Sequence, residues 1–370
     1  MKIGIPKEIK KDEYRVGATP LNVAAWVEEG HEVLIQAKAG EGSGFLDIEY
    51  IKNGAVIIDH IEELYAKSTL IVKIKEPQPL EYDLLESKHI LFCYLHLAPI
   101  KKLGEVLVDK GVSAIAYETV TKNGELPLLK PMSEIAGKSA LLSGAHHLSK
   151  YCGGEGVLIG GALGVQNAKV LIIGAGVVGT NAAKYAVGLD ADVTVINRTT
   201  PKLEILKNLL PPIKTKVYSE SELVISLYES DIVISTALIQ GGSSAPKLIT
   251  KQMLPNMKKG SVFVDVAIDQ GGTAETSKPT SHSDPTYTVE GVIHYCVANI
   301  PGAYPKTSTQ AITNATAPYV SFIAKEGFEN AVKKERSIYN GVNVYKNSLT
   351  NKAVADSFGM NYNDLDTLLD

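Results

Sequence analysis

Residues Gly174-Ala175-Gly176-Val177-Val178-Gly179 constrain this chain more than any other segment. They follow directly on the apolar run AKVLII and lead into a helical pattern containing Ala182, Ala183 and Ala186. A G-x-G-x-x-G between a buried strand and a helix is the turn that receives the pyrophosphate of a dinucleotide. Gly174 permits the tight turn, Gly176 lets a pyrophosphate approach the main chain, and Gly179 lets helix and strand pack closely. The phosphates then meet the unpaired N–H groups and the positive dipole end of the helix.

The flanking sequence supplies the frame such a turn needs. A chain of 370 residues exceeds what one core usually fills, so two compact domains with a cleft between them are expected. The first 130 residues alternate β-branched runs with helical patterns: KIGIP, HEVLIQ, LIVKIK, HILFCYL and VSAIAYE. A second series follows the glycine turn, at ADVTVIN, TKVYS, DIVIST, GSVFVDVA and GVIHYCVAN. Both series read as βαβ units on parallel sheets, so the expected fold is α/β with two Rossmann-like doubly wound domains. Residues 130–304 form the expected dinucleotide-binding domain, and 1–129 with 305–370 a discontinuous substrate domain onto which an amphipathic stretch from Ala311 to about Glu335 packs back. The first helix is legible in detail, with Thr19 as N-cap, Pro20 at the first helical position, Gly30 at the end, and Val23, Trp26 and Val27 on one face.

Charge and cysteine usage exclude several classes. With 37 basic and 41 acidic residues and no long basic run, the chain offers no footprint for a phosphate backbone, so no nucleic acid partner is expected. MKIGIPKEIKK is charged from the start and lacks an apolar core, so no secretory signal is read there and the expected location is cytoplasmic. The most apolar stretch is interrupted by Gln166, Asn167 and Lys169, which argues against a membrane span. Cys93, Cys152 and Cys296 are widely spaced and suggest neither disulfides nor a thiolate metal site.

The strand after the glycine turn should end in a carboxylate for the ribose hydroxyls of NAD. Asn197 stands there instead, followed by Arg198, Thr199 and, a turn later, Lys202. Asparagine can bond a hydroxyl but does not repel a 2′-phosphate, and Asn197-Arg198-Thr199 resembles the phosphate-reading turn of NADP-dependent shikimate dehydrogenases. NAD and NADP both stay open.

The first half also offers a fork-shaped cation, Arg15, an ammonium, Lys75 at the end of LIVKIK, and a titratable imidazole, His96 within FCYLHLA. Together these are what a small amino acid or oxo acid needs. Asp269, in VDVAIDQGG, adds a carboxylate in a loop after a β-branched strand.

Taken in order, IGIPKEIKKDEYRVGATP, GHEVLIQAKAGEGSGF, KIKEP, YLHLA, AYETV, LPLLKPMSEIAG, GAGVVG, VDVAIDQGG and YCVANIPGAYPKTSTQAITNATAPYV resemble bacterial alanine dehydrogenases over nearly everything up to about residue 330. The resemblance implies reversible conversion of L-alanine to pyruvate and ammonia with a nicotinamide cofactor, and a homohexamer. It implies that Arg15 and Lys75 clasp the substrate carboxylate, that His96 is the general acid/base, and that Asp269 positions or activates the reacting water. Met132 would pack near the substrate methyl group, with Asn299 also at the substrate. Cofactor contacts would fall on Ser133, Val177, Asn197, Lys202, Ser219, Leu238, Val266, Asp269, Lys278, Val297 and Asn299, besides the three glycines. Some relatives carry a metal-binding Glu and His where this chain has Phe322 and Glu326, so no metal is expected. The chain also resembles the soluble nucleotide-binding part of proton-translocating transhydrogenase, and opine-type or saccharopine-type dehydrogenases would share fold and cofactor. Arg15, Lys75 and His96 favour an enzyme that binds its own amino acid.

Overall fold

The computed structural model describes residues 1–237 and 245–369. The chain divides into two compact units, Met1–Met132 with Tyr304–Asp370, and Ser133–Ala303.

The first unit is built on an eight-stranded sheet. Its six parallel strands run, in spatial order, Val56–Ile58, Glu32–Gln36, Lys2–Ile5, Leu70–Val72, Ile90–Cys93 and Ser113–Ala116. Numbered along the chain this is 3-2-1-4-5-6, the doubly wound order with its reversal between Lys2–Ile5 and Leu70–Val72. Two antiparallel strands from the far end of the chain, Val342–Tyr345 and Ser348–Leu349, extend the sheet beyond Ser113–Ala116. The helix Pro20–Glu28 begins as expected: Thr19 accepts the N–H of Asn22, and the Asn22 side chain reciprocates on the Thr19 amide. Trp26 is buried among core residues. The long helix Pro305–Glu326 is anchored to this unit through Thr309, which accepts the Val16 amide and bonds the Ser43 hydroxyl.

The second unit repeats the winding. Its parallel strands lie in the order Lys214–Val217, Asp192–Asn197, Lys169–Ile173, Ile232–Ser235, Val262–Asp265 and Val292–Tyr295, again 3-2-1-4-5-6, with Thr286–Val289 antiparallel at the edge. Alternation within each strand covers both faces. Val170 and Ile172 enter one apolar cluster with Val193, Val195, Ile232 and Ile234, while Leu171 and Ile173 enter the other with Ile196, Val233 and Phe263. That double burial explains why these strands read as near-continuous apolar runs. Among the described residues, no helix is long and apolar enough to cross a membrane, and no group of three or more His, Cys, Asp or Glu side chains is placed to hold a metal ion.

Candidate active site

In each unit the chemistry-bearing residues lie beyond the carboxyl ends of the parallel strands, where open α/β sheets bind ligands. In the first unit, Arg15 belongs to the loop after Lys2–Ile5, Lys75 to the loop after Leu70–Val72, His96 to the loop after Ile90–Cys93, and Glu118 to the turn after Ser113–Ala116. Lys75 is therefore not the last residue of its strand, as the run LIVKIK suggested. The strand ends at Val72, and beyond it the Ile74 and Lys75 amides donate to Oε1 of buried Glu8, at 2.7 and 3.2 Å. Glu8 is in turn ion-paired with the wholly buried Lys73, which also meets Glu81 at 2.9 Å. Burial alone would strip the proton from Lys73, but the two carboxylates outweigh it and hold the ammonium charged.

Arg15, Lys75 and His96 come together in this unit. Arg15 is 2% exposed, bonds Oε1 and Oε2 of Glu13 through Nε and Nη2, and points Nη1 at the Met132 sulfur, 3.1 Å away. Burial raises the Glu13 pKa, yet the charge and hydrogen bonds of Arg15 prevail and hold it at about 2. The His96 side chain is 41% exposed. The protein packed around its ring lowers the imidazole pKa well below the usual value, and the positive charges of Lys75, Lys10 and Arg15 push the same way. The neutral ring lies flat against Tyr94, with centroids 5.6 Å apart and planes 6° apart, and the Tyr94 hydroxyl is tied to the Leu128 carbonyl at 2.6 Å.

The His96 main chain is unusual, with φ +44°. Glu118 accepts its amide at 2.6 Å and the preceding Leu95 amide at 3.2 Å. Glu8, Glu13, Tyr94 and Glu118 were not singled out from the sequence. Glu8 and Glu118 meet main-chain groups and side chains that the sheet brings to them, so no spacing announces them, whereas Glu13 lies two residues from Arg15 and Tyr94 two from His96.

In the second unit the glycine turn follows Lys169–Ile173 and opens the helix Val177–Gly188. Gly174 has φ +108°, a conformation closed to ordinary side chains. A β-carbon on Gly179 would stand 1.9 Å from the Gly174 carbonyl oxygen, so helix and turn meet only because none is present. A β-carbon on Gly176 would meet nothing within 4 Å, which leaves an open cradle against the helix N-terminus where a pyrophosphate fits.

Asn197 ends the neighbouring strand and is held on both sides. Its Oδ1 accepts the Ala175 amide at 3.1 Å, and its Nδ2 donates to the Thr199 carbonyl and hydroxyl. Arg198 and Lys202 are exposed just beyond. Ser219 caps the helix Glu220–Glu229 by accepting the Glu222 amide. Val266 and exposed Asp269 follow Val262–Asp265, and buried Asp265 shapes their loop by accepting the Ala267 and Thr273 amides and the Ser277 hydroxyl. Ser133 is half-buried near the start of the helix Lys130–His147, and Lys278 is exposed, its amide donating to the Tyr287 hydroxyl. Val297 is wholly buried and Asn299 has φ +60°, both just past Val292–Tyr295. Leu238 lies outside the described residues.

A strand, glycine turn and helix of this geometry at a sheet reversal define a doubly wound dinucleotide-binding protein. Family models match both parts: alanine dehydrogenase/PNT, N-terminal domain, over residues 4–136, and alanine dehydrogenase/PNT, C-terminal domain, over 140–352. The chain belongs to the alanine dehydrogenase/PNT family. It is 48% identical to an alanine dehydrogenase of Halomonas elongata and 47% identical to one of Staphylococcus epidermidis, each match covering 100% of both chains. A solved L-alanine dehydrogenase superposes with a TM-score of 0.93 at 44% identity, covering 97% of this chain and 99% of the other. A transhydrogenase from Sinorhizobium meliloti shares the fold, with a TM-score of 0.81 at 24% identity over 95% of this chain and 100% of the other.

Proposed function

We propose that this chain catalyses the reversible oxidative deamination of L-alanine to pyruvate and ammonia. The observation that carries the reading is the meeting of a guanidinium, an ammonium and a neutral imidazole at the carboxyl ends of adjacent strands in one sheet. A nicotinamide dinucleotide, when bound, takes the hydride from Cα. Gly174, Gly176 and Gly179 would hold its pyrophosphate, and the family resemblance assigns further contacts to Ser133, Val177, Ser219, Val266, Lys278, Val297 and Asn299, and to Leu238, which lies outside the described residues.

Arg15 and Lys75 hold the alanine carboxylate, which fixes the orientation of the amino acid. Glu13 holds Arg15 through Nε and Nη2, and Nη1 lies beside the Met132 sulfur. Met132 bounds the space for the methyl group, and the family resemblance assigns Asn299 of the second unit to the substrate. The His96 imidazole is neutral and ready to take a proton as water adds to the iminium carbon. The family resemblance gives the positioning of that water to Asp269 of the second unit. Collapse of the carbinolamine returns a proton through His96 to the departing nitrogen.

The ribose end decides between NAD and NADP. NAD is the first expectation for the family. Asn197 presents no negative charge, its amide hydrogens are given to Thr199, and Arg198 and Lys202 stand exposed beside it, which supports acceptance of a 2′-phosphate as well. Exposed Tyr151, Leu158, Leu163 and Val165 of the second unit are the kind of apolar surface that copies cover in an assembly, which supports the homohexamer that the family resemblance implies.

Cofactor reduction with L-alanine alone, tried with NAD and with NADP, and cofactor oxidation with pyruvate and ammonia test the assignment. No alanine-dependent reduction with either cofactor overturns it.

A further inference from the structure

We propose that Glu118 is a positioning residue for the imidazole: its carboxylate clamps the Leu95–His96 main chain in the left-handed turn that aims the His96 side chain. The inference rests on the reading of His96 as acid/base. Four observations lead to it.

His96 carries a β-carbon yet adopts φ +44°, a conformation that persists only where the surroundings enforce it. The strands Ile90–Cys93 and Ser113–Ala116 are parallel neighbours in register, Cys93 opposite Ala116, so the loops that follow them leave the sheet side by side. Glu118, two residues past its strand, reaches across: Oε1 accepts both the Leu95 amide (3.2 Å) and the His96 amide (2.6 Å), and Oε2 shares the Leu95 amide at 3.2 Å. Neither amide has a main-chain acceptor among the described residues, so this carboxylate alone satisfies two successive N–H groups of a strained turn.

The same Oε1 stands 4.0 Å from His96 Nδ1, while the Tyr94 ring supports the imidazole face. The ring is thus set from its own main chain and from one face, which is what a proton-transfer group must have to stay in line with its substrate. Burial raises the Glu118 pKa, and the amide hydrogen bonds and Lys75 oppose that rise.

Two conservative variants separate a clamp from a mere nearby charge. Glu118→Gln keeps the reach and one acceptor oxygen but loses the charge; Glu118→Asp keeps the charge and withdraws it by one methylene. A clamp requires Glu118→Asp to be the more damaged. Its kcat for alanine falls about 30-fold or more with KM changed less than about threefold, while Glu118→Gln stays within about fivefold of the parent. Hydrogen exchange gives a readout independent of turnover: in Glu118→Asp the Leu95 and His96 amides exchange at least about tenfold faster while those of Ile90–Cys93 are unchanged.

The reverse order, with Glu118→Gln crippled and Glu118→Asp active, overturns the proposal, as does parental exchange at Leu95 and His96 in Glu118→Asp. If the parent protein does not deaminate alanine, the catalytic reading falls on that result, and the exchange data still decide whether the carboxylate holds the turn.

Discussion

Glu13 and Arg15 form a buried two-pronged pair, Nε 2.6 Å from Oε1 and Nη2 2.5 Å from Oε2. The guanidinium therefore has its counterion in place and its orientation fixed within the fold. Replacing Glu13 by Gln removes the carboxylate charge from this buried pair, at a cost of about 3 to 5 kcal/mol in urea unfolding at neutral pH. Because the folded pKa is lowered to about 2 from 4.5, the stabilisation is complete above 4.5 and is lost as pH falls through 2. The stability gap between the parent and Glu13→Gln should close over that window; a gap independent of pH would remove the pair from the account.

His96 is held neutral by the protein around it and by three cations. His96→Ala should lower kcat about 10²-fold or more. A lowered pKa keeps the base deprotonated as pH drops, so the acid limb of kcat/KM for alanine should lie below the ordinary imidazole value of 6.5. Removing a cation moves the limb upward. Lys10→Met is the cleanest choice, since Lys10 is partly exposed and pairs with Glu76. A limb that stays fixed in Lys10→Met separates it from the His96 proton.

The glycine turn distinguishes packing from ligand contact. Gly179→Ala forces a β-carbon against the Gly174 carbonyl and should destabilise the second unit by about 1 to 3 kcal/mol or more. Gly176→Ala meets open space and should fold within about 0.5 kcal/mol of the parent. Its loss should appear in cofactor affinity, at least about tenfold by fluorescence titration. Equal affinity for parent and Gly176→Ala would place the pyrophosphate elsewhere.

These variants follow features of unequal visibility in the sequence. The glycine turn and the parallel strands are plain because double burial writes continuous apolar runs. Val56–Ile58 passes unnoticed because it is three residues long and exposed at Val56. The hairpins Val342–Tyr345 with Ser348–Leu349, and Thr286–Val289 with Val292–Tyr295, turn through Lys346-Asn347 and Glu290-Gly291, with positive φ at both residues of each pair. Only Gly291 and Asn347 hint at this, and neither pair is the Asn-Gly or Asp-Gly that announces such a turn. Arg15, Lys75 and His96 could be named from residue type and resemblance. Glu8 and Glu118 could not, because each acts on the main chain of those residues and becomes visible only once the sheet aligns their loops; Glu13 sits in the Arg15 loop itself, where nothing in the spacing tells a buried partner from a solvated charge.

Asn197 lends itself to a test of cofactor choice. An aspartate there can still accept the Ala175 amide, but it loses the donations to Thr199 and places a negative charge where a 2′-phosphate would sit. Asn197→Asp should shift the NAD/NADP ratio of kcat/KM toward NAD about tenfold, equivalent to about 1.4 kcal/mol. An unchanged ratio would show that the residue does not face the 2′ position.

The sheet of the first unit is completed by strands from opposite ends of the gene. Ser113–Ala116 acquires its outer neighbour, Val342–Tyr345, only after the whole second unit has been translated. During synthesis the first sheet therefore waits with a bare rim, and a bare rim invites pairing with a neighbouring nascent chain. A truncation that removes the last thirty or so residues would leave the glycine turn untouched and would make the protein clump as it is made.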